Sequence, residues 1–190
     1  GLKVSAEIPL FSFIGRFDAG QKGIDMLHTV LRRMNQETIE CVILGSGNKD
    51  WEERFRWFSA FYPKNISCNF IFDDDLAHQI YAGSDFILIP SRFEPCGLIQ
   101  MIAMLFGTVP IAHSVGGLKD SITDGKNGFL YEQYDSQNLE ETMKKAIAMR
   151  EENKPAFEEI VQNALAMDFS WTKSAKQYIA LYNRLLTKTP

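Results

Sequence analysis

Hydrophobic positions along this chain fall into two alternating rhythms. Continuous apolar runs of strand length recur at residues 8–14, 39–44, 66–72, 85–90, 109–112 and 128–131. Such unbroken runs are expected of strands buried on both faces, as in a parallel sheet. Between them the period lengthens to that of a helix. Ile24, Leu27, Leu31 and Met34 form one stripe, with Asp25, His28 and Arg32 opposite, and Trp51, Phe55, Phe58 and Tyr62 form the next. Residues 77–82 and 98–106 predict two further helices. The order β-α-β-α-β-α-β-α-β predicts an α/β fold, a doubly wound parallel sheet with right-handed crossovers and helices on both faces.

From about residue 136 the pattern is purely helical. Leu139, Met143, Ala146 and Ile147 share a face behind Asp135 or Ser136 as a cap, with Glu140 and Glu141 favourable in the first turn. Phe157, Ile160, Val161, Ala164 and Leu165 make a second stripe, set off by Pro155. Trp171, Ala175, Tyr178, Tyr182 and Leu185 make a third behind Ser170. No repeat or linker interrupts the chain, so its 190 residues read as one domain, 1–190, with a helical C-terminal tail.

Composition narrows the function classes. Hydrophobic residues are 45% and charged residues 23%, which excludes a disordered or low-complexity chain. Twenty basic residues against 24 acidic ones give a net charge of −4, and no basic cluster breaks that balance, so a nucleic-acid partner is not expected. No apolar run approaches the roughly 18 residues of a membrane span. Cys41, Cys68 and Cys96 are odd in number and widely spaced. They suggest neither a disulfide framework nor a zinc site, and a reducing, cytoplasmic compartment is expected. The chain opens on Gly1 without the segments of a signal peptide, and a leading Gly is expected of a tag remnant or of a piece of a longer protein.

Ligands of a doubly wound sheet sit beyond the carboxyl ends of its strands. Chemistry is therefore sought in the loops at residues 15–22, 45–50, 91–97 and 113–118, each of which carries Gly. In the first, Arg16 and Lys22 flank a Gly-containing turn ahead of a helix, an arrangement suited to a diphosphate; two solvated surface cations are the bland alternative. The loop is neither a P-loop nor a G-x-G-x-x-G fingerprint, so ATPase and dehydrogenase functions lose support. Gly45-Ser46-Gly47 suits a tight turn as well as a ligand contact. In the third loop Glu94 suits either sugar hydroxyls or an ion pair with Arg92. A helix opening at about Gly97 would turn the amides of Gly97, Leu98 and Ile99 toward a phosphate. Cys96 lacks a Cys–His motif and reads as small buried filler unless it lines a ligand. His28 lies on a polar helix face and is expected in solvent, as is His78 near Asp74 and Asp75. His113 ends a strand at the ligand edge and is the strongest candidate of the three. Asp73, Asp74 and Asp75 suit a helix N-cap better than a metal site.

The run Ser91-Arg92-Phe93-Glu94-Pro95-Cys96-Gly97-Leu98, followed by Gly107-Thr108-Val109-Pro110 and Gly116-Gly117-Leu118, resembles bacterial glycogen synthase and plant starch synthase. Ile14-Gly15-Arg16 with Gln21-Lys22-Gly23, Gly45-Ser46-Gly47, Ala77-His78 with Tyr81-Ala82-Gly83-Ser84-Asp85, and Asp168-Phe169-Ser170-Trp171 fit the same family in order. The resemblance implies a Rossmann-like domain that is the C-terminal, nucleotide-sugar-binding half of a two-domain GT-B glycosyltransferase, with the N-terminal acceptor domain absent from this chain. It implies a retaining transfer of glucose from ADP-glucose to the non-reducing end of an α-1,4-glucan, with UDP-glucose as the alternative donor. Arg16 and Lys22 match the cations on the diphosphate, and Glu94 matches the carboxylate beside the donor sugar. Cys96 and Gly97 match residues lining that sugar, Gly116 and Gly117 fall on a loop near the cleft, and Gly15 is counted with the donor-binding residues. Leu98 and Ile99 match the helix start at the distal phosphate, and Phe72 the ring against the base, a strand-end core position being the other reading of Phe72. Ile102 stands where the broader retaining GT-B pattern has a second Glu. Two cations and a helix dipole supply the charge, so no metal and no cofactor are expected. The isolated chain is expected to transfer nothing, and the location is cytoplasmic, or plastidial in a plant or alga. A non-catalytic nucleotide- or sugar-binding module, or another retaining transferase using a UDP-sugar, is the alternative.

Overall fold

Six of the apolar runs pair into one fully parallel sheet in a computed structural model that describes Leu2, residues 7–34 and residues 38–187. Gly1 lies outside the described residues. In chain order the strands and helices are β1 (Leu10–Ile14), α1 (Ile24–Arg33), β2 (Glu40–Leu44), α2 (Lys49–Phe61), β3 (Ile66–Asn69) and α3 (Asp74–Gly83). They continue as β4 (Phe86–Ile89), α4 (Ile99–Leu105), β5 (Val109–His113), α5 (Gly116–Ser121) and β6 (Phe129–Tyr131). Three helices end the chain: α6 (Ser136–Glu152), α7 (Lys154–Leu165) and α8 (Trp171–Leu186). The strand order is β3-β2-β1-β4-β5-β6, so the expected doubly wound α/β sheet is the one found.

The central strands are apolar on both sides because helices cover both. One layer of core joins Phe11, Phe13, Leu27, Leu31, Phe55, Phe86, Leu139 and Met143. The other joins Ile87, Ile89, Met104, Ala112, Leu118 and Ala164. Alternate residues of β4 point into each: Phe86 and Leu88 into the first, Ile87 and Ile89 into the second. Among the described residues no helix is long and apolar enough to cross a membrane.

Where the elements differ from the sequence pattern, pairing and capping explain it. The apolar run at 66–72 becomes a strand only to Asn69, because β3 is an edge strand whose one neighbour, β2, ends at Leu44 opposite Asn69. Phe70, Ile71 and Phe72 then leave the sheet. Of residues 113–118, expected as a loop, His113 ends β5 and the last three open the short helix α5. α3 starts earlier than its apolar residues suggest, capped by Asp73, whose carboxylate accepts from the Leu76 amide at 2.9 Å. Asp135 caps α6, and Asn153 both ends α6 and caps α7 with Pro155 in the first turn. α8 has the expected stripe and Ser170 cap, yet it buries none of its residues.

Candidate functional site

The sheet begins in its middle. From β1 the chain winds outward through β2 to β3, then crosses back to β4 and winds the other way. The crevice beyond β1 and β4 is therefore the topological switch point, where the connecting loops part and leave room for a ligand. The loop after β1 brings Arg16 and Lys22 there, and the loop after β4 brings Glu94.

Hydrogen bonds make the first of these loops a built turn. Asp18 Oδ1 accepts from the amides of Gly20 and Gln21 at 2.8 and 3.2 Å, and its carbonyl accepts from the Lys22 amide at 2.8 Å. The Gln21 side chain accepts from Arg16 Nη2 at 2.9 Å, and its carbonyl accepts from the Arg92 amide at 2.8 Å, which ties the two loops together. Across the crevice Lys22 Nζ lies 2.5 Å from Glu94 Oε2, with side chains only 18% and 10% exposed. Ser91 Oγ donates to the same carboxylate oxygen at 3.1 Å. An ammonium carries three donors, of which Glu94 engages one, so Lys22 keeps capacity for an anion.

The second loop is clamped from below. His113, at the end of β5, bonds through Nδ1 to the Ser91 carbonyl at 2.9 Å, and its ring lies 5.4 Å from Tyr131 and 5.2 Å from Tyr134. Gln100, fully buried, donates through Nε2 to the carbonyls of Cys96 and Gly97 and to Ser121 Oγ. Gly116, at φ +48, and Gly117 let the turn after β5 lie directly on this loop: a Cβ on either would come 2.1 Å from the carbonyl oxygen of Glu94 or Cys96. The Gly117 amide donates to the Glu94 carbonyl at 3.0 Å.

Beside Arg16 opens a cavity of about 320 Å³. Its walls are mostly apolar, formed by Ile14, Leu44, Ile71, Ala77, Tyr81 and Ile102, with Gly15, Phe72 and His78 at its margin. Burial pushes the Tyr81 hydroxyl up to about 12, so it stays protonated at neutral pH. Phe72 is 89% exposed, which removes the core reading of this ring. Ile102 contributes apolar wall at the position where the broader pattern has Glu.

Of the residues singled out from the sequence, Gly15, Arg16 and Phe72 line this cavity, and Lys22, Glu94, Cys96, Gly97, Gly116 and Gly117 gather in the neighbouring loop cluster. Four expectations change. Glu94 pairs with Lys22, not with Arg92, whose guanidinium lies 4.4 Å over the Tyr134 ring. Cys96 is exposed and is not core filler. The helix opens later than Gly97: Gly97 has φ +77, Leu98 is the N-cap, and α4 starts at Ile99, so Gly97 lies outside the helical amides. His28 is not solvated. Its ring packs 5.2–5.8 Å from Trp51, Phe55 and Phe58, and burial, reinforced by Arg32 and Arg54, lowers its pKa. Sequence reasoning missed Ser91, Gln100 and Tyr134, which hold the loop. Ser91 opens the quoted motif and Gln100 lies just after it, whereas no sequence signal marked Tyr134. Among the described residues no group of three or more His, Cys, Asp and Glu is arranged to hold a metal ion.

Comparison with known proteins agrees with this architecture. The model of the family Glycosyl transferases group 1 matches residues 3–164. Glycogen synthase of Bacillus cereus (strain Q1) is 40% identical over 98% of the chain, and glycogen synthase of Lactococcus lactis subsp. lactis (strain IL1403) is 42% identical over 97%. The chain spans 40% of the length of each of these relatives. Among solved structures, the catalytic domain of starch synthase IV from Arabidopsis thaliana, bound to ADP and acarbose, superposes with a TM-score of 0.87 at 32% identity. That match covers 99% of this chain and 41% of that one.

Proposed function

Because the chain belongs to the group 1 glycosyl transferases, we propose that it is the donor-binding domain of a retaining glucosyltransferase that moves glucose from ADP-glucose to the non-reducing end of an α-1,4-glucan. The observation that carries this reading is the meeting of Lys22 and Glu94 across the switch point, beside an apolar cavity that Arg16 lines and that is large enough for a base. The cavity takes the base, with Phe72 against its face. Arg16 and Lys22 take the diphosphate, helped by the backbone at Leu98 and Ile99. The sugar lies over the loop of Glu94, Cys96 and Gly97 where Gly116 and Gly117 support it. The relatives named glycogen synthase and the ADP in the starch synthase structure support the choice of donor.

In the reaction the bond from the anomeric carbon to the leaving phosphate breaks and the acceptor 4-hydroxyl oxygen bonds to the same face. The acceptor proton passes to the departing phosphate oxygen. Positive charge grows on the sugar and negative charge on the phosphate. Arg16 and Lys22 are fixed beforehand by Gln21 and Glu94, so they meet that charge without reorganising. Glu94 both holds Lys22 and keeps an oxygen for the sugar hydroxyls. The acceptor groove belongs to the rest of the protein, and this chain alone binds donor but transfers nothing.

Calorimetry with ADP and UDP tests the reading. Tighter binding of ADP is expected. Equal binding or a preference for UDP removes the donor assignment in favour of a UDP-sugar transferase, and failure of both to bind overturns the nucleotide-sugar reading.

A further inference from the structure

The three strand ends beside the crevice are joined by one buried hydrogen-bond chain. His113 is 9% exposed and Ser91 is 1% exposed. The Ser91 carbonyl can only accept, so His113 Nδ1 carries the proton and donates across 2.9 Å. The hydroxyl of the same Ser91 donates to Glu94 Oε2 at 3.1 Å, and that oxygen holds Lys22. Tyr131 and Tyr134 pack on the imidazole and fix its plane. Nothing in the proposed transfer uses His113 directly, yet it anchors the residue that aims the carboxylate.

We propose that His113 is a positioning residue for the transfer: its Nδ1–H fixes Ser91, and through Ser91 sets the orientation of Glu94 toward the donor sugar and Lys22. This rests on the donor-site reading above. Loss of the donor frees the Ser91 carbonyl and lets Glu94 rotate about an unanchored hinge. A misplacement of about 1 Å at a reacting centre can cost on the order of a hundredfold in rate. On the donor-site reading ADP is also held by Arg16 and the cavity walls, and Lys22 keeps its charge in the variant, so ADP affinity changes far less than turnover.

The test compares His113→Phe, His113→Asn, Ser91→Ala and Lys22→Ala in the full-length protein, reading kcat, donor KM and ADP affinity. Phe keeps a ring against Tyr131 and Tyr134 but cannot donate. Asn loses the ring but carries an N–H close to the position of Nδ1. A positioning role requires kcat to fall about tenfold or more in His113→Phe, with ADP affinity within about twofold of parental and most of kcat restored in His113→Asn. Normal ADP affinity also certifies that the variant is folded. Ser91→Ala should reproduce the loss of kcat. Parental kcat in His113→Phe or in Ser91→Ala, or Asn performing no better than Phe, overturns the proposal and leaves His113 as packing. Lys22→Ala separates the two levels. Parental turnover there overturns the donor-site reading together with this proposal, whereas collapse there with parental turnover in His113→Phe overturns the proposal alone.

Discussion

Two ion pairs join distant parts of the chain at opposite ends of the same sheet, and they are built differently. At the amino end Asp85, just before β4, accepts from Arg150 Nε at 2.9 Å with one oxygen and from the Leu10 amide at 2.8 Å with the other. Its backbone is committed too, bonding the Leu10 carbonyl and the Val109 amide. Asp85 thus ties β1, β4, β5 and α6 together. At the carboxyl end Glu94 concentrates Lys22 and Ser91 on a single oxygen, and Lys22 retains unused donors. Both pairs are largely sheltered, so burial does not distinguish them. Saturation does. A carboxylate whose partners fill both oxygens serves the fold, whereas a pair with hydrogen-bonding capacity left over on both sides is suited to a ligand.

The sharpest way to break this contrast is to remove one member of each pair. Lys22→Ala should lower turnover of the full-length protein on the order of 10²–10³ and weaken donor binding, because on the proposed function it removes a preorganised cation from a site of developing charge. Its loss of stability should be smaller than that of Asp85→Ala, because Lys22 and Glu94 hold no backbone group of the sheet through their side chains. Asp85→Ala should do the reverse, costing about 1.5–3 kcal/mol of stability by leaving the Leu10 amide and Arg150 short of a partner, with ADP affinity unchanged. Chemical denaturation and calorimetry on both variants read the two effects. Equal loss of stability in both would erase the distinction.

Glu94 sharpens the functional side. Glu94→Ala should reduce turnover more than donor affinity, if orientation of the sugar is its main task, and Glu94→Gln isolates the charge while keeping the shape. Steady-state kinetics with donor titration would show the split between kcat and KM. A smaller effect is expected at Phe72, whose exposed ring contributes nothing to the core. Phe72→Ala should weaken ADP by roughly 1–3 kcal/mol, the usual range for loss of a base-stacking ring, with no change in melting temperature.

The smallest effect concerns a titrating group at neither end. Burial against Trp51, Phe55 and Phe58, reinforced by Arg32 and Arg54, lowers the folded pKa of His28 below the unfolded value near 6.5. The unfolded chain then takes up the proton first. The stability this ring contributes is complete above about pH 6.5 and declines as pH falls toward the folded pKa. Melting temperatures measured from pH 7.5 to 5.5 should decline less steeply in His28→Leu than in the parent. Parallel slopes would remove His28 from the account.

Much of this molecule is legible one residue at a time. Runs such as 86–90 and 109–112 declare buried parallel strands because no polar residue interrupts them, and stripes such as Ile24, Leu27 and Leu31 declare helices by period alone. The caps Asp135 and Ser170 follow from side chains that reach their own backbone. The location of the candidate loops was also readable, since ligands of a doubly wound sheet sit beyond the carboxyl ends of its strands, but the residues alone left two solvated cations and a Glu94–Arg92 pair open as alternatives. What local pattern could not supply was anything set by a neighbour distant in sequence. The partner of Glu94 is Lys22, 72 positions away, and not the nearby Arg92, because the strand order brings β1 and β4 side by side. Phe72 lies in an apolar run but outside the sheet, because the adjacent strand has already ended. His28 reads as a polar-face residue, yet α2 lays three aromatic rings against it. Periodicity records which residues can be buried, and only the packed tertiary structure decides what each one meets.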